Sequence, residues 1–220
     1  MIKAVIFDMD GLLIDSEPLW HEAEVEAAKL AGIDLTKKQF LDGTGLKSDK
    51  IVDQWFNNIK PWTNPSKKEV EEELVSSLIA RVKERGAPKP GALKILELMK
   101  KKNLKMALAS SSRMSIIDAA VEKLGIRHYF DELYSAEFEE HGKPHPGVYL
   151  TTAKMLDIAP DSCLAFEDSF NGLLAAKSAR MKCVSVPDES IQGDKRLTIA
   201  DVVLNSLEDF NDEVWERLNR

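Results

Sequence analysis

Cysteine is nearly absent from this 220-residue chain: there are two, Cys163 and Cys183, too few for a disulfide framework. Both stand in apolar, strand-like text (Cys163-Leu-Ala-Phe and Cys183-Val-Ser-Val) and read as small buried residues. Glycine and proline are modest, at 11 and 9, which excludes collagenous and low-complexity architectures. No repeat of fixed period occurs, so solenoids and propellers are set aside. No apolar run reaches bilayer length. The first one is short and ends in Asp8-Met-Asp10, so the expectation is no signal peptide, no membrane partner and a reducing, cytoplasmic setting. A basic stripe is also missing: 30 basic against 37 acidic side chains give a net charge of −7. Lys67-Lys68 and Lys100-Lys101-Lys102 lie in amphipathic helical text and read as solvated helix faces, so no nucleic-acid partner is expected. An acidic chain repels anions at long range, so a phosphate ligand would need a metal and a local lysine to reverse the sign. A monomer is the default expectation.

What is present is alternation. Apolar, strand-like runs recur at residues 3–8, 105–110, 133–136, 162–167, 182–186 and 201–204. Helical text at 92–102, 114–124, 148–156 and 172–179 separates most of them. That pattern predicts an α/β fold, a mostly parallel sheet flanked by helices. From 16 to 85 the text is helical, with no strand. Residues 19–30 are amphipathic and stop at Gly32. Residues 50–58 place Ile51, Val52, Trp55 and Phe56 on one side. Residues 66–85 open with Ser66 and Glu69 at capping-box spacing and end at Gly86. A crossover of this length is far beyond the usual. The predicted organisation is therefore a core of 1–15 and 86–220 with an inserted helical domain at 16–85. The tail, 207–218, reads as one closing amphipathic helix around Trp215.

Four segments at predicted strand ends carry chemistry. Asp8-Met-Asp10-Gly11 ends the first strand; residues two apart share a face, so both carboxylates can address one site, and Gly11 permits a sharp turn. Ser110-Ser111-Ser112 follows the second strand, where a hydroxyl and helix-start N–H groups can cradle a phosphate. The same serines can equally cap the next helix, and for Ser112 capping is the better reading. Lys143 is held between Gly142 and Pro144-His145-Pro146, a stiff loop able to aim an ammonium; the bland alternative is an exposed loop lysine. Phe166-Glu167-Asp168-Ser169 ends another strand, and its two acids suit a hard cation together with Asp8, magnesium being the natural choice. Acidic residues favoured at a helix start are the alternative there.

Acid pair, hydroxyl, lysine and acid pair, in that order, resemble the haloacid dehalogenase (HAD) superfamily phosphatases nearly end to end. The matching text is Asp-Met-Asp-Gly-Leu-Leu-Ile-Asp-Ser-Glu (8–17), Ala-Ser-Ser-Ser (109–112), Gly-Lys-Pro-His-Pro (142–146) and Glu-Asp-Ser-Phe-Asn-Gly (167–172). Within the superfamily the chain is similar to the β-phosphoglucomutase-like group. It stands nearest that group's bacterial hexitol and 2-deoxyglucose-6-phosphate phosphatases, through Asp-Ser-Glu-Pro-Leu-Trp (15–20) and the text around Trp55. The resemblance implies a HAD-like Rossmannoid sheet with an inserted all-helical cap. It implies Asp8 as nucleophile and metal ligand, and Asp10 as acid then base with its carbonyl on the metal. Ser110, with Ser111 beside it, and Lys143 would hold the phosphoryl group. Asp168 would bind Mg2+, with Glu167 ligating it directly or from behind. The implied substrate is a small phosphorylated sugar or polyol. Cap candidates for binding it are Glu17, Gly45, Lys47 (in Gly43-Thr44-Gly45-Leu46-Lys47) and Trp55. For Lys47 solvent exposure, and for Trp55 helix packing, are the plain alternatives.

Two competing functions follow. In β-phosphoglucomutases a histidine moves phosphate between sugar hydroxyls; here that position is Trp20, and His21, one residue along, is rotated by about 100° and expected to point elsewhere. Water is therefore expected as acceptor, with a mutase as the alternative. The second is a phosphoaspartate signalling module, disfavoured by chain length and by an insert suited to closing over a small molecule.

Overall fold

The first strand is four buried apolar residues, β1 (Ala4–Phe7). In the computed structural model, which describes residues 1–43 and 45–219, four helices follow it without a strand. These are α1 (Glu17–Leu30), α2 (Lys37–Gly43), α3 (Ser48–Gln54), which runs on into a π-turn at Trp55–Ile59, and α4 (Lys67–Arg85). The expected capping box starts α4: the Ser66 backbone N–H donates to Glu69 Oε2 at 2.8 Å, and Glu69 N–H donates to Ser66 Oγ at 3.2 Å. The insert leaves and re-enters the core side by side, with Ile14 bridging Pro88 and the Asp15 N–H donating to the Ala87 carbonyl at 2.9 Å.

From there strand and helix alternate: α5 (Ala92–Lys101), β2 (Lys105–Ser110), α6 (Met114–Leu124), β3 (Glu132–Ser135), α7 (Gly147–Met155), β4 (Cys163–Glu167), α8 (Phe170–Ser178), β5 (Lys182–Ser185), β6 (Val202–Val203) and α9 (Asp212–Asn219). The sheet is parallel throughout, in the order β3-β2-β1-β4-β5-β6. Alternate side chains feed opposite layers, as strand geometry requires. Val5, Phe7, Leu108 and Phe166 join one apolar cluster that continues into the insert through Leu12, Leu13 and Ile14; Ala4, Ile6, Ala107 and Ala165 join the other, with Tyr149 and Leu173. Phe7 stacks on Phe166 at 4.9 Å between ring centres. Both cysteines are buried and free, as expected.

Two elements differ from the sequence reading. Helix α2 was not expected, because seven residues are too few for a helical period to show. The tail is a 3-10 turn (Leu207–Asp209) and a separate α9, not one helix: Ser206 and Asp209 close a capping box on the turn, and Asn211 Oδ1 then accepts from Val214 N–H at 3.0 Å to begin anew. Thr44, in the loop before Lys47, lies outside the described residues.

Candidate active site

Because β1 lies between β2 and β4, the residues just past its end meet those at the ends of both neighbours. Phe7 is in register with Leu108 and Phe166, which sets Asp8 level with Ala109 and Glu167, one residue short of Ser110, at the carboxyl edge of the sheet. Lys143, from the loop before α7, joins them. Its ammonium donates to Asp8 Oδ1 at 2.5 Å, to Glu167 Oε1 at 2.6 Å and to the Ala109 carbonyl at 3.2 Å, and lies 5.1 Å from the Tyr149 ring centre. Tyr149 O–H also donates to Glu167 Oε1. Lys143 is only 4% exposed. Burial by itself would lower its pKa, but Asp8 and Glu167 more than reverse this, so the ammonium stays charged. The peptide bond entering Pro144 is cis.

Asp8, Glu167 and Asp168 each offer a carboxylate oxygen within 4.8 Å of the others, and all three are buried. Burial pushes Asp8 up to about 8, with Glu167 and Asp10 adding to the rise and Lys143 opposing it. Burial first, then Asp8 and Glu167, holds Asp168 well above the carboxylate range. Three carboxylates share one ammonium, so a divalent cation would supply the charge this cluster lacks, and oxygen donors suit a hard ion. Glu167 is already engaged by Lys143 and Tyr149 on Oε1 and by Ser169 Oγ at 3.4 Å on Oε2. Asp8 and Asp168 are therefore the residues fitted to hold the ion, with Glu167 behind them.

Two glycines make this crowding possible. Gly11 has φ +71°, and a Cβ there would collide with Asp168 Oδ2. A Cβ at Gly172 would collide with the Glu167 carboxyl carbon and both its oxygens.

Asp10 faces the same rim but lies among donors. Its Oδ1 accepts from Ser16 Oγ at 2.7 Å and Trp20 Nε1 at 3.0 Å; its Oδ2 accepts from Ser112 Oγ at 2.7 Å and Ser110 Oγ at 3.4 Å. Serine hydroxyls of the core and the first turn of α1 thus hold one carboxylate between them.

Above this rim lies a cavity of about 560 Å³ between the core and the helical insert. Asp8, Asp10, Ser110, Ser111, Lys143 and Asp168 line it from below, and Glu17 lines it from α1. Burial, then a hydrogen bond with Asp188, raises Glu17 to about 7. Ser111 Oγ is buried with no partner among the described residues. Two of the sequence candidates are not brought to the cavity. Lys47 reaches the core instead, donating to the Glu139 carbonyl at 3.2 Å. Trp55 is 2% exposed and packed inside the insert. Gly45 does line the cavity, beside Ser169.

The sequence reading missed three contributors. Trp20 and Ser16 bond Asp10, and so does Ser112, which does not cap α6: the N-cap there is Arg113, with no side-chain cap. His21 lines the cavity as well and does not point away; its ring lies 4.0 Å from that of Phe40, while the reach to Asp10 belongs to Trp20.

This geometry agrees with the comparisons. The family model for haloacid dehalogenase-like hydrolases matches residues 2–180. The chain is 42% identical over 207 residues to hexitol phosphatase B of Escherichia coli strain K12, covering 94% of this chain and 93% of that protein. It is 32% identical over 204 residues to a phosphorylated carbohydrates phosphatase of Thermotoga maritima, covering 92% and 93%. Among solved structures, a β-phosphoglucomutase of Clostridium difficile superposes with a TM-score of 0.86 at 28% identity, over 100% of this chain and 98% of that one. The chain belongs to the haloacid dehalogenase-like hydrolase family, and it is an enzyme of the phosphatase kind. No helix among the described residues is long and apolar enough to cross a membrane.

Proposed function

We propose that this enzyme hydrolyses monophosphates of small sugars or polyols, 2-deoxyglucose 6-phosphate and hexitol phosphates among them, through a phosphoaspartate on Asp8 and with Mg2+. The single observation that carries the reading is the bridge made by Lys143 Nζ between Asp8 and Glu167, 135 and 24 residues away along the chain, beside Asp168 and under a cavity. A buried lysine pinned this way neutralises a nucleophilic carboxylate and an incoming phosphoryl group together. The substrate class is supported by the 42% identity to a hexitol phosphatase.

The residues divide the work as follows. Asp8 forms a bond from a carboxylate oxygen to phosphorus while the bond from phosphorus to the sugar oxygen breaks. Asp10 gives its proton to that departing oxygen, then takes one from the water that attacks the phosphoaspartate, releasing phosphate and restoring Asp8. Ser110, Ser111 and Lys143 hold the phosphoryl oxygens. Asp8, Asp168 and the Asp10 carbonyl would hold Mg2+, which when bound spreads the charge of the phosphoryl group. Residues 16–85 form the cap and 1–15 with 86–220 the catalytic core, a division supported by the paired crossing at Ile14 and Pro88. A cytoplasmic setting is supported by the two free cysteines. Water is favoured over a sugar hydroxyl as acceptor, because Trp20 offers Asp10 a hydrogen-bond donor and no second base.

The test is phosphate release from a panel of sugar and polyol phosphates, with magnesium and then with EDTA. Release should require metal and be abolished in Asp8→Asn. Metal-independent release, or an active Asp8→Asn, overturns the proposal.

A further inference from the structure

Along α1 the acids alternate with apolar residues, and the helix sends them in different directions. Glu22 and Glu26 turn toward α4: Glu22 accepts from Arg81 Nε at 3.1 Å and Arg85 Nη1 at 3.1 Å, and Glu26 accepts from Arg81 Nη2 at 2.9 Å. Glu24, between them, faces the other way and lines the substrate cavity. It is 6% exposed, and its Oε2 has no hydrogen-bond partner among the described residues. Burial pushes its carboxyl up to about 8, with no charged neighbour contributing. The walls beside it are apolar: Val25, Leu35, Phe40, Leu46 and Ile51. A buried carboxyl without a partner costs stability, and such a group beside a cavity belongs to whatever fills it.

Position says what that occupant presents. Trp20, one turn earlier, already touches Asp10, the group that protonates the departing oxygen. Four residues of helix rise about 6 Å, so Glu24 lies about that far along the axis beyond Trp20. A substrate with its ester oxygen at Asp10 and its carbon chain along Trp20 brings its far end to Glu24. We propose that Glu24 is a specificity residue that hydrogen-bonds a hydroxyl of the substrate remote from the phosphate. The enzyme then selects neutral polyhydroxy monophosphates long enough to span that turn. Compounds ending in a methyl group leave Oε2 without a partner. Compounds ending in a second anion find no free lysine or arginine: among the described lining residues the one lysine, Lys143, is bound to Asp8 and Glu167, and there is no arginine. This inference rests on the phosphatase reading above.

The experiment compares kcat/KM for glucitol 6-phosphate with that for 2-hydroxyethyl phosphate, which is too short to reach Glu24, in the wild type, Glu24→Gln and Glu24→Leu with magnesium. The ratio of the two should fall roughly 10- to 100-fold in Glu24→Leu, the scale of losing one hydrogen bond in a dry pocket, and less in Glu24→Gln, whose amide still pairs with a hydroxyl. A second arm keeps the wild type and replaces the substrate by 1-deoxyglucitol 6-phosphate, which should show a similar loss. An unchanged ratio in Glu24→Leu, or equal turnover of the deoxy compound, overturns the role of Glu24 while leaving the phosphatase reading intact. If Glu24→Leu does not fold, the deoxy arm decides. A wild type that releases phosphate from no ester overturns the phosphatase reading and this inference with it.

Discussion

The two walls of the cavity are built on different principles. On the core side most of the charged groups are held by partners: Lys143 joins Asp8 and Glu167, and Asp10 has four donors, while Asp168 is the acid left for a cation. On the cap side Glu24 stands in an apolar wall with a buried oxygen that has no hydrogen-bond partner among the described residues. A satisfied network fixes atoms in place, which suits chemistry that does not change from one substrate to the next. An unsatisfied group waits for a ligand, which suits selection.

The widest separation between the two walls should come from Lys143→Met. Removing the ammonium leaves Asp8 and Glu167 buried without a counter-charge, so phosphate release should fall about 10³-fold and folding should weaken by about 3 kcal/mol. Steady-state kinetics and urea unfolding measure the two; a stable, active variant would show that the core network is dispensable.

Glu24→Gln sharpens the other side, through pH. Folded Glu24 keeps its proton up to about 8, whereas its unperturbed value is 4.5. Between those values the folded chain binds more protons than the unfolded one, so this group's contribution makes stability fall as pH rises through the window. Glu24→Gln removes that slope. Relative to the wild type it should gain on the order of 2 kcal/mol between about pH 5 and pH 8 in urea unfolding. Parallel stability curves for the two proteins would mean that Glu24 is paired or hydrated in solution.

The smallest effect tests the seam between the walls. Trp20→Phe keeps a ring in the cavity but removes the donor to Asp10, whose Ser16 and Ser112 bonds, both at 2.7 Å, remain. A drop in kcat of about tenfold with little change in KM is expected. A change in KM alone would make Trp20 a wall and nothing more.

The core wall is legible in the sequence because its groups stand where local geometry dictates their direction. Asp8, Ser110, Glu167 and Asp168 close apolar runs, and Lys143 sits in a loop stiffened by two prolines. The cap wall is not legible in the same way. Trp20 has the spacing of a packing residue. Glu24 sits in Glu22-Ala23-Glu24-Val25-Glu26, where all three acids look alike; only the position of α4, which offers Arg81 and Arg85 to its neighbours, shows that Glu24 is the one left inside. Ser112 is hidden for a related reason: three consecutive serines carry no mark of which one turns toward Asp10. Lys47 and Trp55 were binding candidates because the segments around them match relatives, yet Lys47 holds the core at Glu139 and Trp55 fills the insert.

The central place of β1 has a consequence for how the protein is born. The first strand of the sheet in chain order must wait for partners made much later: its neighbours start at Lys105 and Cys163. Until the segment ending at Glu167 has been made, Asp8 has neither its lysine-bridged companion nor a strand on that flank. Pairings this distant in the chain make assembly slow. A growing chain on the ribosome therefore carries Asp8 without its lysine bridge and without one flanking strand until Glu167 has been made, and the proposed catalytic competence arrives only after that.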